Sequence, residues 1–204
     1  MPNLCSNNIE LICKNADSAK RLGSTLDNIT CDKKWQLHEI EEHYNLDFNQ
    51  NAPQPTMRAD ITNLYVDDNI VYIELTSAWS PAVGIFRQLA KKLNIIEHVR
   101  YVAEEPGMEI FQTNDETLAQ DYYYVDSNEG FEVVDKDEAK ELLWAYIQDH
   151  KNNELAQKII NSFDKEDLTI TELNEFTNTI SEKMSDDTFI IAHDYDYVDL
   201  QDQN

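Results

Sequence analysis

The chain has 204 residues and a formal net charge of −24, because 40 Asp and Glu residues oppose 16 Lys and Arg residues. A surface of that sign repels nucleic acid and anionic membranes, and it attracts cations and basic proteins. Only four glycines are present, and the sequence contains neither a glycine-rich dinucleotide motif nor a P-loop. Direct nucleic-acid binding and cofactor sites built on glycine loops are therefore excluded.

The negative charge is distributed unevenly along the chain. Residues 1–100 carry a formal charge of −3, whereas residues 101–204 carry −21. The second half of the chain is therefore a polyanion. Two interpretations remain open, because such a surface serves solubility alone or attracts a basic partner.

Cysteine content and hydropathy indicate a cytoplasmic protein. Cys5, Cys13 and Cys31 form no CxxC pair, and a structural zinc site needs four ligands. Reduced thiols are the expectation. The N-terminus lacks the pattern of a signal peptide, and no apolar run approaches the roughly 18 residues of a membrane span.

Hydrophobic periodicity predicts a strand and two helices at the start of the chain. The strand covers residues 8–14, and the helices cover 18–29 and 33–44. A polar segment at 45–55 is rich in Asn, Gln and Pro, and it predicts a loop.

The clearest pattern is a hairpin that runs into a helix. Strands at 59–66 and 70–75 flank a tight turn, and a helix follows at 81–93. Ser80 is the predicted N-cap, because its hydroxyl can accept a hydrogen bond from the first helical turn. Pro81 suits the first helical position, where no N–H is needed.

The rest of the chain predicts strands, then helices, then a tail. The segment from 99 to 134 predicts two hairpins, each with a glycine in its turn. Helical stripes follow from 137 to 184, and Thr169 with Glu172 forms a capping box. Residues 185–204 are acidic and predict a solvated tail.

Four short segments share the pattern of a known family. They are Met1-Pro2-Asn3-Leu4-Cys5-Ser6-Asn7, Thr76-Ser77-Ala78-Trp79-Ser80-Pro81, Lys33-Lys34-Trp35, and the trio Tyr101, Glu105 and Gly107. These residues resemble the YubB-like ferredoxin-like family of plasmid and prophage proteins. In that family the second segment reads Thr-Ala-Trp-Ser-Pro-Pro, and the third reads Gly-Thr-Lys-Trp.

The resemblance covers about residues 1–135 and implies an α+β fold, with helices on one face of a ferredoxin-like antiparallel sheet. It also implies a place on mobile elements, but it supplies no activity and no catalytic residues. The expected organisation is a ferredoxin-like domain at 1–135, a helical extension at 136–184 and an acidic tail at 185–204.

Metal ligands are not predicted from the available clusters. Carboxylates approach calcium-loop spacing at 194–199 and 164–175, but both segments lack the glycine of such a loop. His38 and His43 are five residues apart, so they do not share a helix face as a metal-binding pair would. We therefore predict neither a metal nor a cofactor.

The first functional hypothesis is an acidic protein-interaction module of a phage or other mobile element. Surface carboxylates can mimic the phosphates of nucleic acid and compete for a basic groove. The expected partner is a basic, nucleic-acid-binding host nuclease, so the module would be an anti-CRISPR or anti-restriction type of inhibitor that acts on a host defence system. The predicted partner-binding residues are Asp121, Tyr122, Tyr124, Asp126, Glu129, Glu132, Asp186, Asp187, Asp194, Asp196 and Asp199.

The alternative hypothesis is an enzyme or small-anion-binding protein with its site at the 76–81 junction. A free helix N-terminus there would attract an anion. Ser77, Ser80 and Cys5 are candidate nucleophiles, but the sequence pairs none of them with an activating base. We therefore predict no catalytic residues and no enzyme, and we leave the oligomeric state open.

Overall fold

A computed structural model describes residues 4–46, 56–184 and 188–199. Most of the loop predicted at 45–55 lies outside the described residues. The same holds for the start of the N-terminal motif and for two of the predicted partner-binding residues, Asp186 and Asp187.

The chain forms two compact units. The first unit comprises Met1–Asp115 and Asp196–Asn204, and the second unit comprises Glu116–Tyr195. The second unit is therefore inserted into the sequence of the first.

Both units combine strands and helices. The first unit begins with β1 (Leu4–Cys13), α1 (Ala16–Thr30), α2 (Gln36–Tyr44), β2 (Ala59–Asp67), β3 (Ile70–Ala78), α3 (Val83–Lys92), β4 (Ile96–Glu105) and β5 (Ile110–Thr113). The second unit contains α4 (Glu116–Asp121), β6 (Tyr122–Ser127), β7 (Gly130–Asp135), α5 (Lys136–Asp149), α6 (Glu154–Ser162), α7 (Ile170–Lys183) and β8 (Ile190–Asp194). The chain then returns to the first unit with β9 (Asp196–Tyr197).

The first unit is built on a six-stranded sheet with the order β2-β3-β1-β4-β5-β9. Its first four strand pairings are antiparallel, whereas β9 lies parallel to β5. The sheet is therefore mixed, and the expectation of a purely antiparallel sheet is wrong at this edge. The reason is that the chain reaches β9 only after the second unit, through a long crossover.

Side chains alternate across the central strands of this sheet, as the sequence predicts. Ile9 and Leu11 of β1 are buried with Val71 and Ile73 of β3. They share one core with α1, α2 and α3. The three helices contribute, among others, Leu22, Leu37 and Phe86 to it. The intervening residue Glu10 belongs to the opposite face of the sheet.

The second unit packs helices on a three-stranded antiparallel sheet with the order β7-β6-β8. Val125 of β6 and Ala192 of β8 share a core with Leu143 of α5 and Leu173 of α7. The predicted capping box is confirmed, because the Thr169 and Glu172 side chains each accept a hydrogen bond from the other residue's backbone N–H.

The division between the units differs from the expected domain boundaries. The structure divides the chain after Asp115, whereas the sequence placed the boundary at 135 and a tail from 185. Strand β6 pairs with β7 and with β8, so these three strands form a sheet separate from the first one. Ile190 of β8 is buried, so this part of the predicted tail is a strand that completes a core.

Gly23 allows α1 to approach β2 closely. A Cβ atom at this position would clash with the side chain of Val66. Glycine in a helix interior ordinarily costs roughly 0.5–1 kcal/mol relative to alanine. Here we expect Gly23→Ala to lower the free energy of unfolding by about 1–3 kcal/mol, because overpacking outweighs the gain in helix propensity.

Urea denaturation measures this effect. Ser24→Ala is the matched control, since Ser24 is the exposed neighbour in the same helix, and its stability is expected to stay level or rise. A Gly23→Ala protein more stable than the wild type would contradict the close contact.

Candidate functional site

The second unit contains an open cleft of about 500 Å³ between the β6–β7 turn, the end of α5 and residues 188–190. Three carboxylates line it, from Glu129, Glu132 and Asp149, and all three residues are exposed. Its lining includes no Lys or Arg among the described residues. We refer to this feature as the acidic cleft.

Three aromatic residues are among those that line the acidic cleft, namely Phe131, Tyr146 and Phe189. The Phe131 side chain is 68% exposed and that of Phe189 is 38% exposed. Aromatic faces beside carboxylates favour a cation with an apolar or planar body, because the ring quadrupole attracts positive charge.

Turn geometry positions Glu129. The Ser127 hydroxyl donates a hydrogen bond to the Gly130 carbonyl at 3.1 Å and accepts one from the Glu129 N–H at 3.3 Å. Gly130 has φ 127°, a conformation that a side chain would strain. The turn therefore presents Glu129 beside the start of β7, where Glu132 follows on the strand paired with Val125.

Hydrogen bonds also hold the opposite wall of the acidic cleft, where α5 and residues 188–189 lie. The Tyr146 hydroxyl donates to the Thr188 carbonyl at 3.0 Å, and the Phe189 N–H donates to the Asn128 side chain. His150 Nδ1 lies 2.7 Å from the Tyr146 carbonyl oxygen, and the two rings are 4.2 Å apart. These contacts fix the aromatic wall before any ligand arrives.

The charge of the second unit strengthens this site. The unit contains 20 Asp and Glu residues, six Lys and no Arg, so its formal charge is −14. Charge of one sign around a cleft raises the local concentration of counter-ions. The electrostatic field at the acidic cleft therefore favours cations over anions.

The structure brings some of the predicted partner-binding residues together around this cleft. Glu129 and Glu132 line it, and Asp126 pairs with Phe131 across β6 and β7. Tyr124 is only 3% exposed, and its ring stacks on Phe131 at 5.4 Å. The prediction that Tyr124 contacts a partner is therefore corrected, since this residue supports the exposed Phe131 ring from below.

The other predicted residues that the structure describes are not among those that line the cleft. Tyr122 is 39% exposed at the opposite end of β6, next to Asp121. Asp194 pairs with Tyr123 across β6 and β8, and burial followed by the Asp194 charge raises the pKa of Tyr123. Asp196 and Asp199 belong to the first unit.

Sequence reasoning missed Asp149, Tyr146, His150 and Phe189. Tyr146 and Asp149 are three residues apart on α5, so a shared helix face could have been predicted. Their position beside the β6–β7 turn depends on pairing between distant strands, which local patterns do not encode.

The start and the N-cap of the helix after the 76–81 junction differ from the sequence prediction. Helix α3 begins at Val83, its N-cap residue is Ala82, and no side chain of the cap residue closes it. Ser80 is therefore not the N-cap. Trp79 adopts the left-handed backbone conformation, with φ 73°. The chain turns there, and the Ser80 hydroxyl forms a hydrogen bond with the Thr56 hydroxyl instead.

Asn7 provides the missing cap from a distant strand. Its side-chain oxygen accepts a hydrogen bond from the Ala82 N–H at 2.8 Å. Its amide nitrogen donates to the Cys5 carbonyl at 2.8 Å and to the Ser77 hydroxyl at 2.9 Å. The Ser77 hydroxyl then donates to the Ser80 carbonyl at 2.7 Å. At the helix N-terminus expected to bind an anion, the Ala82 N–H is therefore already bonded to Asn7.

Two ionisable groups close to Asn7 are buried. Burial, with a smaller contribution from the Glu105 charge, raises the pKa of Cys5 to about 11. Burial also raises the pKa of Tyr101 to about 12. A thiol of such high pKa is a poor nucleophile at neutral pH. The structure thus gives no support to Cys5 as a catalytic group.

Among residues 4–46, 56–184 and 188–199, no helix is long and apolar enough to cross a bilayer. Within the same ranges, no group of three or more His, Cys, Asp or Glu side chains could hold a metal ion.

Comparisons of the chain with protein-family models, with curated proteins and with solved structures give no match. The acidic cleft and the Asn7 network are therefore interpreted from their own chemistry.

Removing the Asn7 amide tests the cap. Asn7 is 1% exposed, so Asn7→Ala leaves the Ala82 N–H and the Ser77 hydroxyl without this partner inside the core. We expect the free energy of unfolding to fall by about 2–4 kcal/mol in urea denaturation. Asn8→Ala is the control, because Asn8 is exposed on the same strand. Equal stability of the two variants would contradict the network.

The buried Cys5 and Tyr101 predict a loss of stability at alkaline pH. Their folded-state pKa values, about 11 and about 12, exceed the ordinary values of 9.0 and 10.0. The folded state therefore binds these protons more tightly than the unfolded state, and the resulting stabilisation is complete below pH 9 and lost as the pH rises through the folded values.

We expect the urea midpoint to fall between pH 9 and about 11. The fall should be shallower in Cys5→Ala and, at the upper end of the range, in Tyr101→Phe. A midpoint that is level across this range in the wild type would show that the two groups are not held protonated by the fold.

Proposed function

We propose that the protein is an acidic protein-interaction module that binds a basic segment of a partner protein in the acidic cleft. The observation that carries this proposal is that Glu129, Glu132 and Asp149 line one cleft together with three aromatic residues, and that its described lining has no Lys or Arg. An arginine or lysine side chain satisfies both parts of such a site, because its charge meets carboxylates and its stem or guanidinium plane meets the rings.

Electrostatics would govern both the speed and the selectivity of this association. Exposed carboxylates steer a basic partner during encounter, and their effect weakens as salt screens them. The apolar walls add contacts that salt does not screen. Binding should therefore weaken in salt without vanishing, unlike a purely electrostatic attraction.

The partner in this proposal is a basic, nucleic-acid-binding protein, and the module competes with nucleic-acid phosphates for its groove. The chain charge of −24 supports this class, because groove-lining cations attract a carboxylate surface as they attract phosphates. We further propose a role as a cytoplasmic, non-enzymatic inhibitor of a host defence nuclease, carried by a phage or other mobile element. The N-terminal and junction motifs support the mobile-element origin.

A ferredoxin-like arrangement of the first unit is part of the same proposal. The order β1-α1-β2-β3-α3-β4 with sheet order β2-β3-β1-β4 supports it, since this is the split βαβ pattern. Helix α2 and strands β5 and β9 are additions to that pattern. The arrangement supports membership of the YubB-like family.

Charge reversal in the acidic cleft tests the proposed function. We expect Glu129→Lys, Glu132→Lys and Asp149→Lys together to weaken binding of an oligoarginine peptide by at least about tenfold in isothermal titration calorimetry. The same triple variant should fail to retain the basic, nucleic-acid-binding proteins that the wild type captures from bacterial lysate at low salt.

A second triple variant controls for net charge. Asp164→Lys, Glu175→Lys and Glu182→Lys change three exposed carboxylates of the second unit that do not line the cleft. This variant should keep most of the affinity. If both triple variants lost affinity equally, the acidic cleft would not be the binding site, and if neither did, the proposed function would be wrong.

A further inference from the structure

The first unit contains a second cleft, of about 490 Å³, lined by residues from β1, the start of α2, β2 and β3. Its chemistry is opposite to that of the acidic cleft. Lys34 and Arg58 supply two cations and Trp35 supplies an aromatic ring, while Asp60 is its single carboxylate among the described residues. We refer to it as the basic cleft.

The two cations of the cleft differ from Arg100, which pairs with Glu10 at 2.7 Å and with Asp115 at 3.2 Å. Neither Lys34 nor Arg58 forms an ion pair with any of the described carboxylates. Their positive charge is therefore available to an anionic ligand.

Trp35 is placed to stack on a planar group. Its side chain is 51% exposed, and the Lys34 ammonium lies 5.8 Å from its ring centroid. The His38 ring meets it edge-on at 6.2 Å. One face of an exposed indole beside a lysine suits an aromatic ring that carries a negative group.

The adjacent residue, Gln36, fixes this part of the cleft to the rest of the unit. Its amide nitrogen donates to the Thr30 carbonyl at 3.3 Å, and its amide oxygen accepts from the Ile61 N–H at 2.5 Å. The start of α2 is thereby tied to both α1 and β2. The position of Trp35 in the lining that it shares with Arg58 and Asp60 is thus fixed before a ligand binds, which lowers the entropic cost of binding.

Two further polar residues of the lining can form hydrogen bonds with a ligand. Asp60 and Thr76 are paired across β2 and β3, and both line the cleft. A carboxylate accepts hydrogen bonds only, whereas a hydroxyl both donates and accepts. Sugar hydroxyls and exocyclic amino groups are the donors that match Asp60.

We propose that the basic cleft binds a nucleoside monophosphate. Its base would stack on Trp35, its phosphate would lie between Lys34 and Arg58, and its sugar would face Asp60 and Thr76. The volume suits a ligand of this size, since small-molecule pockets span about 300–1,000 Å³. The site lies beside the junction at 76–81, but the cations, rather than the helix N-terminus capped by Asn7, would hold the anion.

A single nucleotide is favoured over a polymer because of the charge of the whole chain. The net charge of −24 opposes each additional phosphate outside the cleft. Two local cations offset this repulsion for one phosphate group only. This inference concerns the first unit and does not depend on the acidic cleft.

Tryptophan fluorescence provides a direct test. Trp79→Phe and Trp144→Phe leave Trp35 as the single tryptophan of the three in the chain. We expect adenosine and uridine monophosphates to quench its emission saturably. Adenosine without phosphate, and inorganic phosphate used as a competitor, should bind at least about tenfold more weakly, because each retains only part of the contacts.

Alanine variants of basic residues inside and outside the cleft show whether nucleotide binding depends on it. Lys34→Ala and Arg58→Ala should each weaken nucleotide binding about tenfold. Lys33→Ala should not, because Lys33 pairs with Glu39 at 3.8 Å and does not line the cleft. Circular dichroism confirms that each variant is folded.

Three results would overturn the inference. They are the absence of saturable quenching by either monophosphate at millimolar concentration, an equal loss of binding in Lys33→Ala, and tighter binding of an oligonucleotide than of the monophosphates. The last result would assign the cleft to nucleic acid rather than to a free nucleotide.

Discussion

The buried amide of Asn7 is the interaction on which the first unit depends. It joins two neighbouring strands and the start of α3, because one side chain bonds to Cys5, Ser77 and Ala82. A buried polar group is costly unless every hydrogen bond is made. The network therefore selects one register of β1 against β3 and one entry angle for α3. The positions of Trp79 and Ser80 in the following turn are consequences of this requirement.

Charge is separated into two kinds of cleft, and composition alone would not suggest it. The second unit has carboxylates and aromatic residues at one end of its sheet, whereas the first unit has, beside an indole, two cations that form no ion pair with a described carboxylate. In both clefts the aromatic ring is exposed and braced by a neighbour: Tyr124 supports Phe131, and His38 supports Trp35. Bracing reduces the side-chain entropy that binding must overcome. Both sites are thus preorganised by ring contacts within their own unit.

Local elements could be predicted from the sequence, but contacts between distant segments could not. The β2–β3 hairpin and the Thr169–Glu172 capping box depend on residues a few positions apart, and both are present. The cap of α3 depends on Asn7, which is 75 residues from Ala82. The prediction of the nearer Ser80 as the N-cap is therefore wrong. Likewise, Glu129 and Glu132 could be selected from their segment, whereas Asp149 joins them only because α5 packs against the β6–β7 turn.

The insertion of the second unit explains why the chain combines two chemistries. Strand β5 ends at Thr113 and β9 pairs with it in parallel, with the Val198 N–H donating to the Thr113 carbonyl at 2.8 Å. The ends of the inserted segment therefore lie on neighbouring strands of one sheet. Insertions between such close points are tolerated because the host core needs no residue from the insert. Among the described residues, the core of the first unit contains none from the second unit, so that core forms without a contribution from the inserted segment.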